Sequence, residues 1–309
     1  IKNKCIFKLD APGSSIGRLI AEIQLKDLSL QENISNSIRK DEVLVITGNP
    51  VWATTQTKKT AGFGEFHWHT EISLDGANSI TNGLQIARDQ YNLNYCTPSD
   101  HTPNPDAWNY STDIIEGFNE DNEFVTFFGW ENSTMEGHEN YYFTDPNHPL
   151  KPFGEANVQG KKSYELQPQL SELQTNDKRK FLAIPHHTNA ISETRHPDYT
   201  PYWYSYKFNK PDGYHRLIEI LQTRGNMERN EYSDAWRGWY TEHSSVQDAL
   251  AIGYKLGFAA GTDCHSGRPV RCNAAAEAFG RIPLHSQSIT GVWFDKMDRS
   301  SIFEGLYNR

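Results

Sequence analysis

Gly64-Glu65-Phe66-His67-Trp68-His69-Thr70-Glu71-Ile72-Ser73-Leu74-Asp75 is the stretch on which the reading of this chain turns. If Phe66 to Thr70 is a strand, alternation sends His67 and His69 to one face and Phe66 and Trp68 to the other. The two imidazoles then stand about 7 Å apart along the strand. Each ring reaches inward by several ångströms and bonds a metal at about 2 Å, so a single ion can be gripped by both. An H-x-H pair also occurs on half-buried strands that bind nothing, so its meaning depends on partners from elsewhere in the sequence.

Those partners belong to a chain of 309 residues and 35.3 kDa. That length allows one large α/β domain, or one of about 250 residues with a smaller appendage. Hydrophobic residues make up only 37% and the mean hydropathy is -0.71, yet 15 Tyr, 15 Phe and 8 Trp supply much of the apolar area a core needs. A net charge of -9 with no run of Lys or Arg argues against nucleic acid or a membrane surface as primary partner and leaves a small-molecule substrate. No stretch approaches the roughly 20 apolar residues of a membrane span. Cys5, Cys96, Cys264 and Cys272 show no C-x-x-C spacing and fix no redox compartment. Nothing in the composition sets the oligomeric state.

Residues 1–61 read as a short β-rich N-terminal segment. Ile20 to Leu25 and Val43 to Thr47 are strand-like, joined by an Asn/Ser-rich link. They are the end of a truncated domain or strands beside the main one, unless the segment is an irregular extension. From Gly62 onward, short apolar strands alternate with helical patterns, the habit of βαβ construction, and residues 62–309 are expected to form one α/β domain. Ser79 to Gln90 fits a helix, and Leu93 to Thr97 a strand running into Ser99-Asp100-His101. Ser111 to Glu120 reads as a helix. Phe124 to Gly129 reads as a strand ending at Trp130-Glu131, and Tyr141 to Phe143 continues the sheet after His138. Beyond a polar insertion, Phe181 to Ile184 ends in Pro185-His186-His187, and Leu217 to Ile220 is a further strand. The helical run Ser244 to Leu256 leads to Gly261-Thr262-Asp263-Cys264-His265; Ile289 to Phe294 and a helix from Ser300 complete the chain.

Metal-type side chains therefore gather at the carboxyl ends of successive strands, where α/β folds keep their active sites. They are His67, His69, Asp75, Asp100, His101, Glu131, His138, His186, Asp263 and His265. Mixed imidazole and carboxylate donors suit Zn, Mn or Fe rather than Ca or Mg. At three or four protein ligands per metal, with some shared, this set would hold two or three divalent ions and leave open positions for water and substrate. Asp263-x-His265 repeats the logic of the opening pair, with Cys264 turned away. An unpaired carboxylate after the apolar run before Glu131 would be costly, so a cation partner is expected, and its two oxygens could bridge a metal pair.

The order H-x-H-T, Ser-Asp-His, a Glu after an apolar strand, a separate His, Ile-Pro-His and Gly-Thr-Asp-x-His resembles the polymerase and histidinol phosphatase (PHP) superfamily of metallohydrolases. Phe127 to Glu131, His138-Glu139-Asn140, Ile184 to His187 and Ile289 to Trp293 look most like a PHP-like branch of bacterial proteins that includes carbamate hydrolases. The likeness covers about residues 62–309. It implies a distorted seven-stranded β/α barrel with up to three metals. One ion would take His67, His69, Glu131 and Asp263; a second would share Glu131 and add His138 and His186; a third would sit near His101 and His265. The family commonly has a histidine where this chain has Asp75, which could ligate instead or leave the third site empty. The sequence sets no compartment; a bacterial periplasmic or secreted location is slightly favoured over a cytoplasmic one.

The implied chemistry is a metal-bridging hydroxide attacking a phosphoester, with a carbamate, carboxylic ester or amide as the alternative substrate. A metal-stabilised binding domain without activity is the reading from a different class. Glu131, Asp263 and Asp100 are the expected catalytic groups, Asp263 accepting a hydrogen bond from the attacking water. Asp100 is expected to fix an imidazole. Arg224, Arg268 and His187 are candidate substrate contacts. His187 and His186 point in opposite directions by alternation, and Glu139 competes with His138 for one ligand position. His148, His196, His215, His243 and His285 are expected to be solvated. Glu219 is either a buried carboxylate backing a ligand or the partner of an arginine. The aromatic runs Tyr199 to Tyr206 and Trp236 to Tyr240 either wall a pocket or pack loops.

Overall fold

A computed structural model describes residues 15–24, 43–53, 59–134, 137–161, 163–175, 180–186, 188–189, 191–192, 202–203, 211–223, 225–229, 244–270 and 288–309. The chain divides into two units, Ile1–Lys58 and Lys59–Arg309. In the first, β1 (Ser15–Gln24) pairs antiparallel with β2 (Val43–Ala53), with a bulge between Arg18 and Ile20.

The second unit begins with β3 (Thr60–Glu65), so the ladder stops just before the opening histidines. Phe66 to Thr70 continues in single file, joined to the late Cys264 through a parallel bridge at Trp68. Alternation survives without the ladder, because an extended backbone is enough to produce it. Phe66 packs among Tyr95, Val125, Phe127, Tyr142 and Ile184, whereas Trp68 enters a separate cluster with Ile80, Leu84, Cys96 and Trp108.

Helix α1 (Ile80–Gln85) starts where the Ser79 hydroxyl accepts from the Asn82 amide, then widens into a π-helical turn over Ile86–Gln90. After β4 (Tyr95–Cys96) comes α2 (Pro105–Phe118). It begins six residues before the expected Ser111, because Asn104 caps it through the Ala107 amide and Pro105 occupies its first turn. The third strand also lies later than expected. β5 is Phe128–Thr134, with Glu131 inside the ladder opposite Asn140, while the apolar residues before it are buried chain held by a bridge between Tyr95 and Val125.

β5, β6 (Gly137–Phe143) and β7 (Leu182–His186) form an antiparallel sheet, with α3 (Ser163–Gln174) between the last two. This departs from a βαβ rhythm. Only two residues join β5 to β6, too few for a parallel crossover. The short β8 (Ile191–Ser192) and β9 (Tyr202–Trp203) pair with each other. β10 (Leu217–Gln222) lies between β11 (Gly225–Asn226) and, after α4 (Val246–Ala251), the parallel β12 (Gly257–Ala260). β13 (Thr290–Phe294) runs antiparallel to β3 and is followed by α5 (Arg299–Asn308), whose Ile302, Phe303 and Leu306 close the core beneath Val292.

Single links join these small sheets: Tyr95 to Val125, Ala183 to His215, and the Thr290 hydroxyl to both the amide and the carbonyl of Ala260. Among the described residues no helix is long and apolar enough to cross a membrane.

Candidate metal centre

The middle of β5, the start of β6, the end of β7, the extended residues after β3, the loop after β4 and the turn after β12 all deliver acid and imidazole groups to one place. Three sets form, and within each the donor atoms lie within 4.8 Å of one another. The first is His67, His69, Glu131 and Asp263, all buried; the second is Glu131, His138 and His186; the third is His69, Asp75, His101 and His265, nearer the surface. Glu131 is common to the first two. Its Oε2 lies 3.3 Å from His67 Nε2 and 3.2 Å from His69 Nε2, and its Oε1 lies 2.6 Å from His138 Nδ1 and 3.2 Å from His186 Nε2. Asp263 Oδ1 faces the first pair at 3.6 and 3.4 Å. In the third set His265 Nε2 is 3.3 Å and His101 Nε2 3.9 Å from Asp75 Oδ2.

Neighbouring groups decide which ring nitrogen faces inward. Ser73 Oγ donates its only proton to Asp100 Oδ1 at 2.9 Å, so at 3.1 Å from His69 Nδ1 it must accept. His69 then carries its proton on Nδ1 and leaves the Nε2 lone pair free of any hydrogen bond, although that atom is buried. His67 Nδ1 is 2.6 Å from Glu219 Oε2 and His265 Nδ1 is 3.1 Å from the Asp263 carbonyl, so these rings too turn Nε2 inward, toward Glu131 Oε2 at 3.3 Å and Asp75 Oδ2 at 3.3 Å. Buried lone pairs and carboxylate oxygens turned toward one another are what a shared divalent cation satisfies, so these residues fit a metal centre.

Electrostatics agree. Burial alone would raise the Glu131 carboxyl, but the imidazoles of His186, His101 and His138 hold it well below the usual carboxylate range. Burial would lower His67, yet the Glu219 and Glu131 carboxylates lift it to about 9. Burial keeps His186 and His101 below the ordinary imidazole value. Glu65 lies behind the centre, wholly buried, its Oε1 accepting from the amides of His67 and Thr262; burial raises its carboxyl well above the normal value.

Several expectations need correction. Asp263 and His265 do not share a strand face: β12 ends at Ala260, and Asp263 takes a left-handed backbone, φ +52°. The aspartate tolerates that conformation better than most residues. Asp100 accepts from the Thr70 amide and hydroxyl and from Ser73, reaching His69 only through Ser73. Glu139 is no rival of His138. It sits on the other face of β6, 2.5 Å from His215 Nε2 and 2.6 Å from the Tyr141 hydroxyl. Nor are His148 and His215 solvated: each is 4% exposed, His148 stacked on Phe143. Glu219 backs a histidine, not an arginine. Arg268 is exposed. His187, Arg224, His196, His243, His285 and most of both aromatic runs lie outside the described residues. Gln222, which donates to Asp263 Oδ2 at 2.8 Å, was missed because an amide in an apolar strand carries no signal of its own.

His215 supplies a test away from the centre. Its Nδ1 is 2.6 Å from Asp212 Oδ2; burial would lower the ring, but Glu139 and Asp212 lift it to about 9. A folded value above the unfolded one stabilises fully below about pH 6.5, and the gain is lost as pH rises through 9. His215→Gln should therefore melt several degrees below the parent at pH 6, with the gap narrowing toward pH 10. A gap independent of pH would refute the charged state.

A family model described as a protein of unknown function, DUF3604, matches residues 78–241, just over half of the chain. The chain belongs to DUF3604. The stretch matched to DUF3604 contains His101, Glu131, His138 and His186, but His67, His69, Asp75, Asp263 and His265 lie outside it on either side. No curated protein matches this DUF3604 chain. Among solved structures it is similar to a two-domain protein from Bacteroides vulgatus containing a predicted PHP-like metal-dependent phosphoesterase, at 17% identity and a TM-score of 0.49 over 82% of this chain; it spans 64% of that protein, under two thirds. It is also similar to a provisionally assigned metal-dependent phosphoesterase from Bifidobacterium adolescentis, at 11% identity and a TM-score of 0.40, covering 79% of this chain and 96% of the other.

Proposed function

We propose that this chain is a metal-dependent hydrolase of the PHP superfamily, built on a distorted seven-stranded β/α barrel, and that it cleaves phosphoesters. The observation that carries the reading is Glu131, whose two oxygens address two separate imidazole sets within one side-chain cluster. The mixed donor set suits two or three ions of zinc, manganese or iron. Such cations would lower the pKa of a water held between them and polarise the bond under attack.

The protein's own groups do the rest. Glu131 keeps the two sets in fixed register. Asp263 Oδ1, turned into the same space, accepts the hydrogen bond of the attacking water. Asp75, His101 and His265, nearer the surface, orient the substrate and complete the third set. Arg268, exposed after the last ligand, meets the anionic end of the substrate, a role also proposed for His187 and Arg224.

Metal analysis combined with rates on a bis-aryl phosphate, a mono-aryl phosphate, an aryl ester and a naphthyl carbamate tests this reading. The expected result is at least two divalent ions per chain and phosphate turnover at least about a hundredfold above acyl turnover. Acyl selectivity would move the same centre to carbamate or ester hydrolysis. An inert, metal-loaded protein would make it a binding domain, and a metal-free protein would end the proposal.

A further inference from the structure

β10 lends no ligand to the centre, yet two of its buried side chains end on ligands. Glu219 Oε2 lies 2.6 Å from His67 Nδ1, and Gln222 Nε2 lies 2.8 Å from Asp263 Oδ2. Both side chains are sealed from solvent. They are three positions apart, and in a regular strand an odd separation turns side chains to opposite faces. The ladder explains how both face inward. Glu219 pairs with Ala259 and Leu221 with Ala260, so β10 carries one extra residue, a β-bulge at Ile220. The bulge brings Gln222 round to the face of Glu219.

Gly261 completes the arrangement. A Cβ there would lie 2.5 Å from His67 Cβ and 2.9 Å from Glu219 Oε2. Only a residue without a side chain lets the Glu219 carboxylate reach the ring behind it.

We infer that β10 is a positioning strand for the two inner ligands, with Glu219 fixing His67 and Gln222 fixing Asp263. The inference rests on the metal reading proposed above. Glu219 accepts the Nδ1 proton of His67, which turns Nε2 toward Glu131 Oε2 and Asp263 Oδ1 and would strengthen the neutral ring as a donor. The Gln222 amide nitrogen only donates, so it holds Asp263 Oδ2 and keeps Oδ1 turned toward His67 and His69. Asp263 stands beyond the end of β12 in a left-handed conformation, so no ladder aims its carboxylate. A single rigid strand thus sets the direction of one imidazole and one carboxylate.

The test is zinc titration of the apoprotein against a chromophoric chelator, with the apoprotein melting midpoint measured in parallel. Gln222→Leu should weaken the tightest zinc site about 10-fold and Glu219→Leu about 10- to 100-fold. Glu219→Gln, which keeps an acceptor oxygen at the same reach, should recover to within about fivefold of the parent. A packing role would move melting midpoints and leave zinc affinity within about twofold in folded variants, and that result overturns the inference. If Glu219→Leu does not fold, Gln222→Leu and Glu219→Gln carry the comparison. A parent protein that takes up no zinc overturns the metal reading as well, whereas a parent that binds zinc beside unchanged variants overturns the role of β10 alone.

Discussion

Glu131→Ala should strip both buried sets of metal together and lower turnover by about a thousandfold or more. The reason is its double employment. One oxygen stands within 3.3 Å of His67 and His69, the other within 3.2 Å of His138 and His186, and the side chain is almost wholly buried. Asp263, the other acid of the first set, cannot replace it, because it is not part of the set formed with His138 and His186. Metal content and steady-state rates, measured on the same preparation, read out both effects. His148→Ala is the control. His148 is buried against Phe143 and its Nδ1 accepts from the Leu150 amide, so its loss should lower the melting midpoint by several degrees and leave the ion content intact. A Glu131→Ala protein that retained every ion would remove the basis for a shared carboxylate.

Gly261→Ala should do unusual harm for one added methyl group. Its Cβ would meet His67 Cβ at 2.5 Å, Glu219 Oε2 at 2.9 Å and Glu65 Oε1 at 3.2 Å, and all three side chains are buried. Overpacking of this kind costs about 1–3 kcal/mol, here a fall of roughly 2–12 °C in melting midpoint. The atoms that must yield are also those that aim a ligand, so zinc affinity should fall with it. Gly117 in α2 has nothing within 4 Å of a built Cβ, and Gly117→Ala should be neutral or slightly stabilising. Equal behaviour of the two variants, in melting and in zinc titration, would refute the crowding argument.

The donor atoms were legible in the sequence because metal ligands are a small set of residue types and extended chain alternates with or without a partner strand. His67 and His69 converge for that reason alone. The supports were not legible. Glu219 and Gln222 act on residues far away in sequence, and only the bulge turns both the same way. Burial of His148 and His215 follows from the elements packed over them, which a polar local sequence conceals. Element boundaries moved where caps outweighed apolar period, as with Asn104 and Pro105 at the start of α2.

The opening histidines are tied directly to the late turn: the Asp263 amide donates to the His67 carbonyl, and the His69 amide to the Cys264 carbonyl. The Thr262 hydroxyl reaches His67 across 195 positions of sequence. On a ribosome adding about 5–20 residues each second, the H-x-H pair therefore waits on the order of ten to forty seconds for Asp263 to be made. A cation caught late in that interval meets His67, His69 and Glu131 but no Asp263. A nascent chain halted short of Asp263 carries the set of Glu131, His138 and His186 without the last acid of the first.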